Sequence, residues 1–128
     1  MVVDTMVMAY ALLGVPTLGL EAARALRKAD DLLAPASVEA ELLNVVWQWG
    51  RGRVSQETAR AVFENSTRLW TELIPVASIW PMALELAFAS GHSPYDTLFV
   101  AAAKLRRTKV LTYDEKLLAL FPDDTTRV

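Results

Sequence analysis

Three aspartates in this chain stand where a predicted strand ends or the next helix begins. Asp4 follows the first apolar strand, Asp114 follows a short strand near the C-terminus, and Asp96 falls in the first turn of an almost wholly apolar helix. Because the carboxyl ends of parallel strands meet at one edge of a sheet, we expect these side chains to gather there. Carboxylate oxygens are the preferred ligands of hard divalent cations, so the pattern indicates a magnesium or manganese site and metal-dependent phosphodiester chemistry.

A fourth acid, Glu41, lies on the helix predicted from Ser37 to Trp49. With about 3.6 residues per turn, Glu41 and Asn44 share a polar stripe beside the apolar stripe that enters the core. Glu39 points about 200° away around the helix axis, so the two glutamates cannot serve one site. We therefore expect Glu41 to join the three aspartates, with Asn44 as a supporting group.

Each acid also has a purely structural explanation. Asp4 and Asp114 are good helix N-caps, and Asp96 is a first-turn acid of the kind that the helix dipole favours. Glu41 suits the exposed face of an amphipathic helix. Such residues are common enough that any one acid, taken alone, favours the structural explanation. The gathering of three acids at the same topological place favours a shared site instead.

The predicted elements that position these acids alternate along the chain. Strands are predicted at Met1–Val3, Leu32–Pro35 and Ile74–Ala77, and a short fourth strand is predicted from Val110 to its end at Asp114. Helices are predicted from a cap at Asp4 or Thr5 to about Leu13, from near Leu18 to Lys28, Ser37 to Trp49, Ser55 to about Leu73, Pro81 to about Ala89, onward from Ser93, and after Asp114. Glycine and proline mark the breaks between them. This order predicts an α/β protein with three layers, α/β/α, around a central and mostly parallel sheet. The length suits one domain, residues 1–128.

Composition restricts the class of function. The net charge of −2 gives no overall attraction to nucleic acid, so an RNA contact needs a local basic cluster. The absence of cysteine excludes disulfides, thiolate metal sites and cysteine nucleophiles. The single histidine, His92, disfavours a zinc site and is interpreted as a helix-end residue without a catalytic part. The apolar run from Met6 to Leu20 is too short and too interrupted for a membrane span, and it lacks the preceding basic residue of a signal peptide. We therefore expect a cytoplasmic protein with no membrane partner.

Four short motifs carry a family resemblance. They are Met1–Thr5, Ala34–Ser37 leading to Glu41–Asn44, Tyr95–Leu98 and Leu111–Asp114. Together, in this order and spacing, they resemble the PIN domain family over nearly the whole chain, and within it the VapC-type toxins of prokaryotic toxin–antitoxin pairs. The resemblance implies a magnesium-dependent endoribonuclease, with manganese as an alternative ion, whose catalytic acids are Asp4, Glu41, Asp96 and Asp114.

The same resemblance implies a mechanism and partners. Asp4, Asp96 and Asp114 would hold one or two ions, with Glu41 completing the set. A metal-activated water would hydrolyse the RNA phosphodiester and leave a 5′-phosphate and a 3′-hydroxyl. The implied partners are an antitoxin, whose segment enters the acidic groove, and a second copy of the chain in a homodimer.

One position departs from the family pattern. The family often has a small hydroxyl residue two places after the first acid, and here that place is Met6. Thr5 is expected to point elsewhere if the segment is regular, so the supporting hydrogen bond is either missing or supplied by Thr112. Lys116, two residues after Asp114, is the better candidate for a weak contact with an RNA phosphate, and a solvated lysine is the simpler explanation.

Other basic and apolar residues allow more than one interpretation. The basic cluster comprises Lys104, Arg106, Arg107 and Lys109. It lies near the end of the Asp96 helix, where cations are favoured by the helix dipole whether or not RNA binds. Leu43 and Trp47 form an apolar stripe that either packs under the next helix, which we favour, or meets another chain.

Two other functions fit part of this pattern. A phospho-acceptor receiver domain has similar length and strand-end acids, but it needs an acid pair after the first strand and a lysine where Asp114 stands. A catalytically silent PIN-like module that binds RNA or protein stays open, because of Met6. Metal-dependent cleavage separates these interpretations.

Overall fold

Five short strands and seven helices make up the fold in a computed structural model that describes all 128 residues. The strands are β1 (Val2–Val3), β2 (Leu33–Pro35), β3 (Glu72–Ile74), β4 (Val110–Thr112) and β5 (Thr125–Arg127). The helices are α1 (Thr5–Leu13), α2 (Leu18–Lys28), α3 (Val38–Trp49), α4 (Gln56–Thr67), α5 (Val76–Ser90), α6 (Pro94–Arg106) and α7 (Glu115–Leu120). The predicted three-layer α/β/α class is confirmed, and the sheet is wholly parallel.

The strand order is β3-β2-β1-β4-β5, which places the first strand in the middle of the sheet. The chain builds outward from β1 to β3 and then crosses to the other side of β1 to form β4 and β5. Because parallel crossovers are right-handed, this reversal puts α1 to α4 on one face and α5 to α7 on the other. The direction of winding changes between β1 and β4, so the carboxyl ends of these two strands border a crevice.

Alternation along the two central strands divides the core between the two faces. Val2 and Val110 are fully buried in the cluster that includes Phe99 of α6. Val3 and Leu111 pack into the other cluster with residues of α1, α3 and α4. Successive residues of a strand point to opposite faces of the sheet, so two apolar residues in each central strand are enough to contact both helical layers.

The N-terminal apolar run forms α1 and α2, joined by a tight turn at Gly14, whose positive φ of 72° ends α1. The helices cross closely at Gly19, where a Cβ atom would lie 2.6 Å from the carbonyl oxygen of Tyr10. None of the helices has both the length and the apolar character to cross a bilayer by itself; α1 and α2 meet that test only when taken together, and the chain bends by 110° between them.

The third strand was predicted wrongly. The expected strand Ile74–Ala77 lies at Glu72–Ile74 instead. Pro75 has no amide hydrogen, so it cannot continue the ladder. Just before β3, the amide of Thr71 donates to the carbonyl oxygen of Leu32, and the hydroxyl oxygen of Thr71 accepts from the amide of Leu32, the residue before β2. The pairing therefore begins and ends earlier than the apolar pattern suggested.

The helices on either side of β3 were also misplaced. Helix α4 ends at Thr67 rather than near Leu73, and α5 begins at Val76, so that Pro81 is its sixth residue rather than part of its first turn. An interior proline leaves the carbonyl one turn earlier without its helical partner. The additional first turn buries Ile79, which is 2% exposed in the core, and this packing outweighs the unfavourable proline.

The edge strand β5 was not predicted at all. It pairs with β4, with Thr125 opposite Val110 and Arg127 opposite Thr112. Its sequence is polar and lacks the apolar alternation of a half-buried strand, as edge strands often do. Only the presence of β4 as a template makes these three residues extended.

Candidate active site

A groove of about 460 Å³ opens at the carboxyl edge of the sheet, where β1 and β4 end. All four predicted acids line it, together with hydroxyl, amide, aromatic and apolar groups. The lining residues are Asp4, Thr5, Met6, Tyr10, Glu41, Asn44, Val45, Asp96, Tyr113 and Asp114. The topological argument from the strand ends therefore located the groove correctly, while the roles of the acids stay predictions.

Asp4 is held rigidly by two hydrogen bonds. Its Oδ1 accepts from the amide of Thr5 at 2.8 Å, and its Oδ2 accepts from Oγ1 of Thr112 at 2.6 Å. Of the two alternatives left by Met6, a missing hydrogen bond or one from Thr112, the structure shows the second. Burial raises the pKa of Asp4 against the effect of these two bonds, and the carboxylates of Asp96 and Asp114 raise it further.

Asp114 uses one of its oxygens as the N-cap of α7. Its Oδ1 accepts from the amides of Lys116 at 2.9 Å and Leu117 at 3.1 Å, and its own amide donates to Oγ1 of Thr112 at 2.9 Å. The structural explanation is therefore correct for one oxygen, and the other oxygen stays available. Lys116 contacts Asp114 through its backbone, while its side chain is exposed.

Asp96 faces a histidine rather than the backbone of its own helix. Ser93 caps α6 by accepting from the amide of Tyr95 at 3.2 Å, and Asp96 makes no reciprocal bond to the amide of Ser93. Its Oδ2 instead lies 2.9 Å from Nε2 of His92. Burial raises the pKa of Asp96, the neighbouring His92 lowers it, and the carboxylate of Asp114 raises it again.

The closest set of possible metal ligands differs from the predicted one, because it includes His92, which lies beside the groove and is not one of its lining residues. Single ligand atoms of His92, Asp96 and Asp114 lie within 4.8 Å of one another. Asp4 and Glu41 line the same groove outside this set. His92 does follow a helix end, as expected, but the sequence interpretation missed that it turns back toward Asp96. Its i,i+4 spacing from that acid was the available signal.

Glu41 approaches the aspartates from α3. Thr5, which was expected to point elsewhere, directs its Oγ1 toward Oε2 of Glu41 at a long 3.4 Å. Burial raises the pKa of Glu41 to about 7, with further contributions from the carboxylates of Asp4 and Asp96. Glu39 is exposed, consistent with its predicted position on another side of the helix.

No lysine or arginine forms an ion pair with the acids of the groove. The Lys and Arg ion pairs lie elsewhere and join Lys104 to Asp124, Arg106 to Glu72 and Arg127 to Glu115. Two members of the predicted basic cluster are therefore engaged in ion pairs at the far end of α6, roughly 15 Å from Asp96. The crowded carboxylates of the groove have no lysine or arginine partner, and the pKa values of Asp4, Glu41 and Asp96 are raised, so together they form a donor set that suits Mg²⁺ or Mn²⁺.

A larger depression of about 900 Å³ lies between α3 and α4. Leu43 and Trp47 line it and are 54% and 57% exposed, so the favoured expectation that they pack under α4 is wrong. The guanidinium of Arg51 lies over the ring of Trp47, 4.9 Å from its centre. Asn44 lines both this depression and the acidic groove, which makes the two surfaces continuous.

Comparisons with known proteins agree with this geometry. No curated protein matches the sequence. The structure of VapBC2 from Rickettsia felis, bound to a DNA fragment from its promoter, aligns with a TM-score of 0.70 and 16% identity over 99% of this chain and 97% of that one. FitAcB from Neisseria gonorrhoeae aligns with a TM-score of 0.67 and 19% identity over 97% of this chain and 94% of that one. The model of the PIN domain family matches residues 1–120, and the chain therefore belongs to that family.

Proposed function

We propose that this protein is a magnesium-dependent endoribonuclease and the toxin component of a toxin–antitoxin pair. The observation that carries the proposal is the group of carboxylates at the switch point of a PIN fold, with no lysine or arginine to neutralise it. PIN domains are generally nucleases, which makes phosphodiester hydrolysis the reaction that this site fits best. The cytoplasm, where RNA is synthesised in prokaryotes, is the proposed location.

The residues that would hold the ion are Asp96 and Asp114, with Asp4 contributing directly or through water. Mg²⁺, or Mn²⁺ in its place, would supply Lewis acidity toward the scissile phosphate and lower the pKa of an attacking water. The chain's own contribution is positioning. Thr112 bonds both Asp4 and the amide of Asp114, so a single buried hydroxyl fixes two acids relative to each other.

Glu41 is suited to handling a proton. Burial and the carboxylates of Asp4 and Asp96 raise its pKa to about 7 in the metal-free site, so this carboxylate has a higher proton affinity than an ordinary glutamate and could accept the proton that water releases as it attacks phosphorus. The hydrogen bond from Thr5 holds one of its oxygens toward the groove. Attack by water rather than by the ribose 2′-hydroxyl leaves a 5′-phosphate and a 3′-hydroxyl.

RNA recognition would combine stacking with a phosphate contact. Tyr10 and Tyr113 line the groove with their ring centres 5.8 Å apart, and Tyr95, which is 68% exposed, precedes Asp96. An exposed aromatic ring beside a cleavage site, such as that of Tyr95, suits an unstacked base of single-stranded RNA, while the half-buried rings of Tyr10 and Tyr113 form part of the groove wall. Lys116, exposed in the first turn of α7, is the proposed weak contact for a phosphate.

The proposed partners rest on the resemblance to VapC-type toxins and on exposed apolar surface. An antitoxin segment would cross the depression between α3 and α4 and reach the acids past Asn44. A homodimer would bury the stripe on α5 formed by Trp80, Leu84 and Phe88, which are 53%, 37% and 80% exposed. Size-exclusion chromatography with light scattering on Phe88→Glu tests the second assignment, since a charged residue there should produce monomers.

The test of the function is RNA cleavage by the purified protein with Mg²⁺, with EDTA, and in the variants Asp96→Asn and Asp123→Asn. Asp123 is an exposed aspartate outside the groove and serves as the matched control. We expect cleavage that requires the ion and Asp96 but not Asp123. Structured and unstructured RNAs are both needed, and the ends of the fragments should carry 5′-phosphates.

One observation supports a second candidate, a catalytically silent PIN-like module that binds RNA or protein. Met6 occupies part of the groove where the family often has a hydroxyl, and both oxygens of Asp4 already accept hydrogen bonds. Binding of RNA without cleavage, at any concentration of Mg²⁺ or Mn²⁺, would favour this module over the ribonuclease.

A further inference from the structure

The single histidine of the chain is held next to the acids from both sides. His92 lies in the short link between α5 and α6, directly after Gly91, whose positive φ of 73° ends α5. Its amide donates to Oγ of Ser90 at 3.2 Å, and the next residue, Ser93, caps α6. The link therefore fixes the backbone of His92 one turn before Asp96.

The imidazole does not have the geometry of an ordinary hydrogen-bond partner. Nε2 of His92 lies 2.9 Å from Oδ2 of Asp96, yet it makes no aligned hydrogen bond and is shielded from solvent. A buried polar nitrogen without such a bond is destabilising and requires an explanation.

An ion between the two atoms supplies that explanation. In an octahedral shell with metal–ligand distances of about 2.0–2.1 Å, adjacent ligand atoms are about 2.9 Å apart. The lone pair of each ligand then points to the ion, about 45° away from the neighbouring ligand. Both the 2.9 Å spacing of His92 and Asp96 and the misalignment of Nε2 match a pair of adjacent ligands.

We propose that His92 is a direct nitrogen ligand of the divalent cation, beside Asp96 and Asp114. The inference rests on the metal site of the proposed function but not on the cleavage of RNA. The three ligand atoms lie within 4.8 Å of one another, which is close to the roughly 4.2 Å that separates opposite ligands of an octahedral ion. Small side-chain movements would bring all three onto one ion.

A nitrogen ligand changes which ion the site prefers. Imidazole binds transition metals more strongly than it binds Mg²⁺. A site made of carboxylates alone binds hard ions and distinguishes less between Mn²⁺ and Mg²⁺. The site should therefore prefer Mn²⁺ to Mg²⁺, and that preference should depend on His92. If His92 only positioned Asp96 through a hydrogen bond, its loss would weaken both ions alike.

Pulsed EPR of the Mn²⁺-loaded protein, without a histidine tag and without RNA, tests this assignment directly. Because His92 is the single histidine, imidazole nitrogen coupled to Mn²⁺ has one source. We expect ¹⁴N modulation in the unmodified protein and its replacement by a ¹⁵N pattern after labelling with ¹⁵N-histidine. Bound Mn²⁺ without nitrogen coupling would overturn the proposal, and this measurement needs no variant.

Titration of Mn²⁺ and Mg²⁺ into His92→Gln provides the second readout. We expect the affinity for Mn²⁺ to fall about 10- to 100-fold and that for Mg²⁺ by less than about threefold. Equal losses for both ions would reassign His92 to positioning. A chain that binds Mn²⁺ through nitrogen but cuts no RNA would contradict the ribonuclease and leave this ligand assignment intact. A chain that binds no ion would contradict both.

Discussion

Acidic residues at the two edges of the sheet have opposite surroundings and opposite pKa shifts. At the amino edge, Glu72 accepts two hydrogen bonds from the guanidinium of Arg106, at 2.8 and 2.7 Å, which lower the pKa of Glu72. At the carboxyl edge, burial and neighbouring carboxylates raise the pKa values of Asp4 and Asp96, and no lysine or arginine pairs with them. The carboxylate of Glu72 thus has a cationic partner in the chain, whereas Asp4 and Asp96 have no lysine or arginine partner. An acidic residue with a raised pKa and no lysine or arginine partner is therefore a candidate functional residue.

The largest effect is expected when a cationic side chain is placed in the acidic groove, because this removes the difference between the two edges of the sheet. In Met6→Arg, a guanidinium enters the acidic groove, and we expect Mg²⁺-dependent cleavage to fall at least about 100-fold because the arginine competes with the ion. The melting temperature without metal should rise, since charge repulsion is relieved. RNA cleavage and thermal unfolding measure the two effects. Met6→Gln, which is neutral and of similar length, is the control; equal losses in both variants would assign the effect to shape.

Magnesium should stabilise the protein by binding at the carboxyl edge of the sheet and not at the amino edge. At a concentration about 100-fold above Kd, binding contributes about 2.7 kcal/mol, and the melting temperature should rise by about 5–10 °C. Asp96→Asn should abolish this rise, while Glu72→Gln should retain it. Thermal unfolding with Mg²⁺ and with EDTA checks the prediction, and an unchanged melting temperature in the unmodified protein would count against a preformed metal site.

Without metal, the stability of the protein should decrease as pH rises through the window set by Glu41. The pKa of this group is raised from 4.5 to about 7, so the native state holds the proton more tightly than the unfolded chain. Its contribution is therefore complete below pH 4.5 and is lost as pH approaches 7; Asp4 and Asp96 act in the same direction.

We expect Glu41→Gln to reduce this loss by about 1–2 kcal/mol, after allowing for solvent screening of a partly exposed group. Urea unfolding at pH 5 and pH 8 in EDTA gives the measurement. Glu39→Gln, on another side of the same helix, should behave like the unmodified protein. A slope that is the same in all three proteins would remove Glu41 from the titrating cluster.

The smallest effect is expected at the amino edge. Glu72 and Arg106 are both solvent-exposed, and exposed ion pairs contribute little because water and salt screen them. Glu72→Gln should leave RNA cleavage unchanged and the melting temperature nearly so, and 1 M NaCl should erase the remaining difference. Cleavage reduced tenfold in this variant would show that the basic end of α6 takes part in binding RNA.

The sequence predicted most of the N-terminal half and all four acids of the groove. The apolar strands, the turn at Gly14 and the helix from Ser37 carry local signals that agree with one another, and the acids after β1 and β4 follow from parallel topology. Between Thr67 and Pro81 the local signals conflict. Strand pairing with Leu32 and the burial of Ile79 decide that region, and neither can be read from neighbouring residues.

The residues alone thus determined the fold class and the groove's acids, because periodicity and strand-end positions are local properties of the chain, and four short motifs carried the resemblance to the family. Tertiary structure decided which groups meet. It brought the His92–Asp96 pair close to Asp114, joined Thr112 to Asp4 across 108 positions, left Trp47 exposed, and kept lysine and arginine away from the acids. These outcomes depend on distances between elements remote in sequence. The same distances, through desolvation and charge repulsion, raise the pKa values of the acids in the groove.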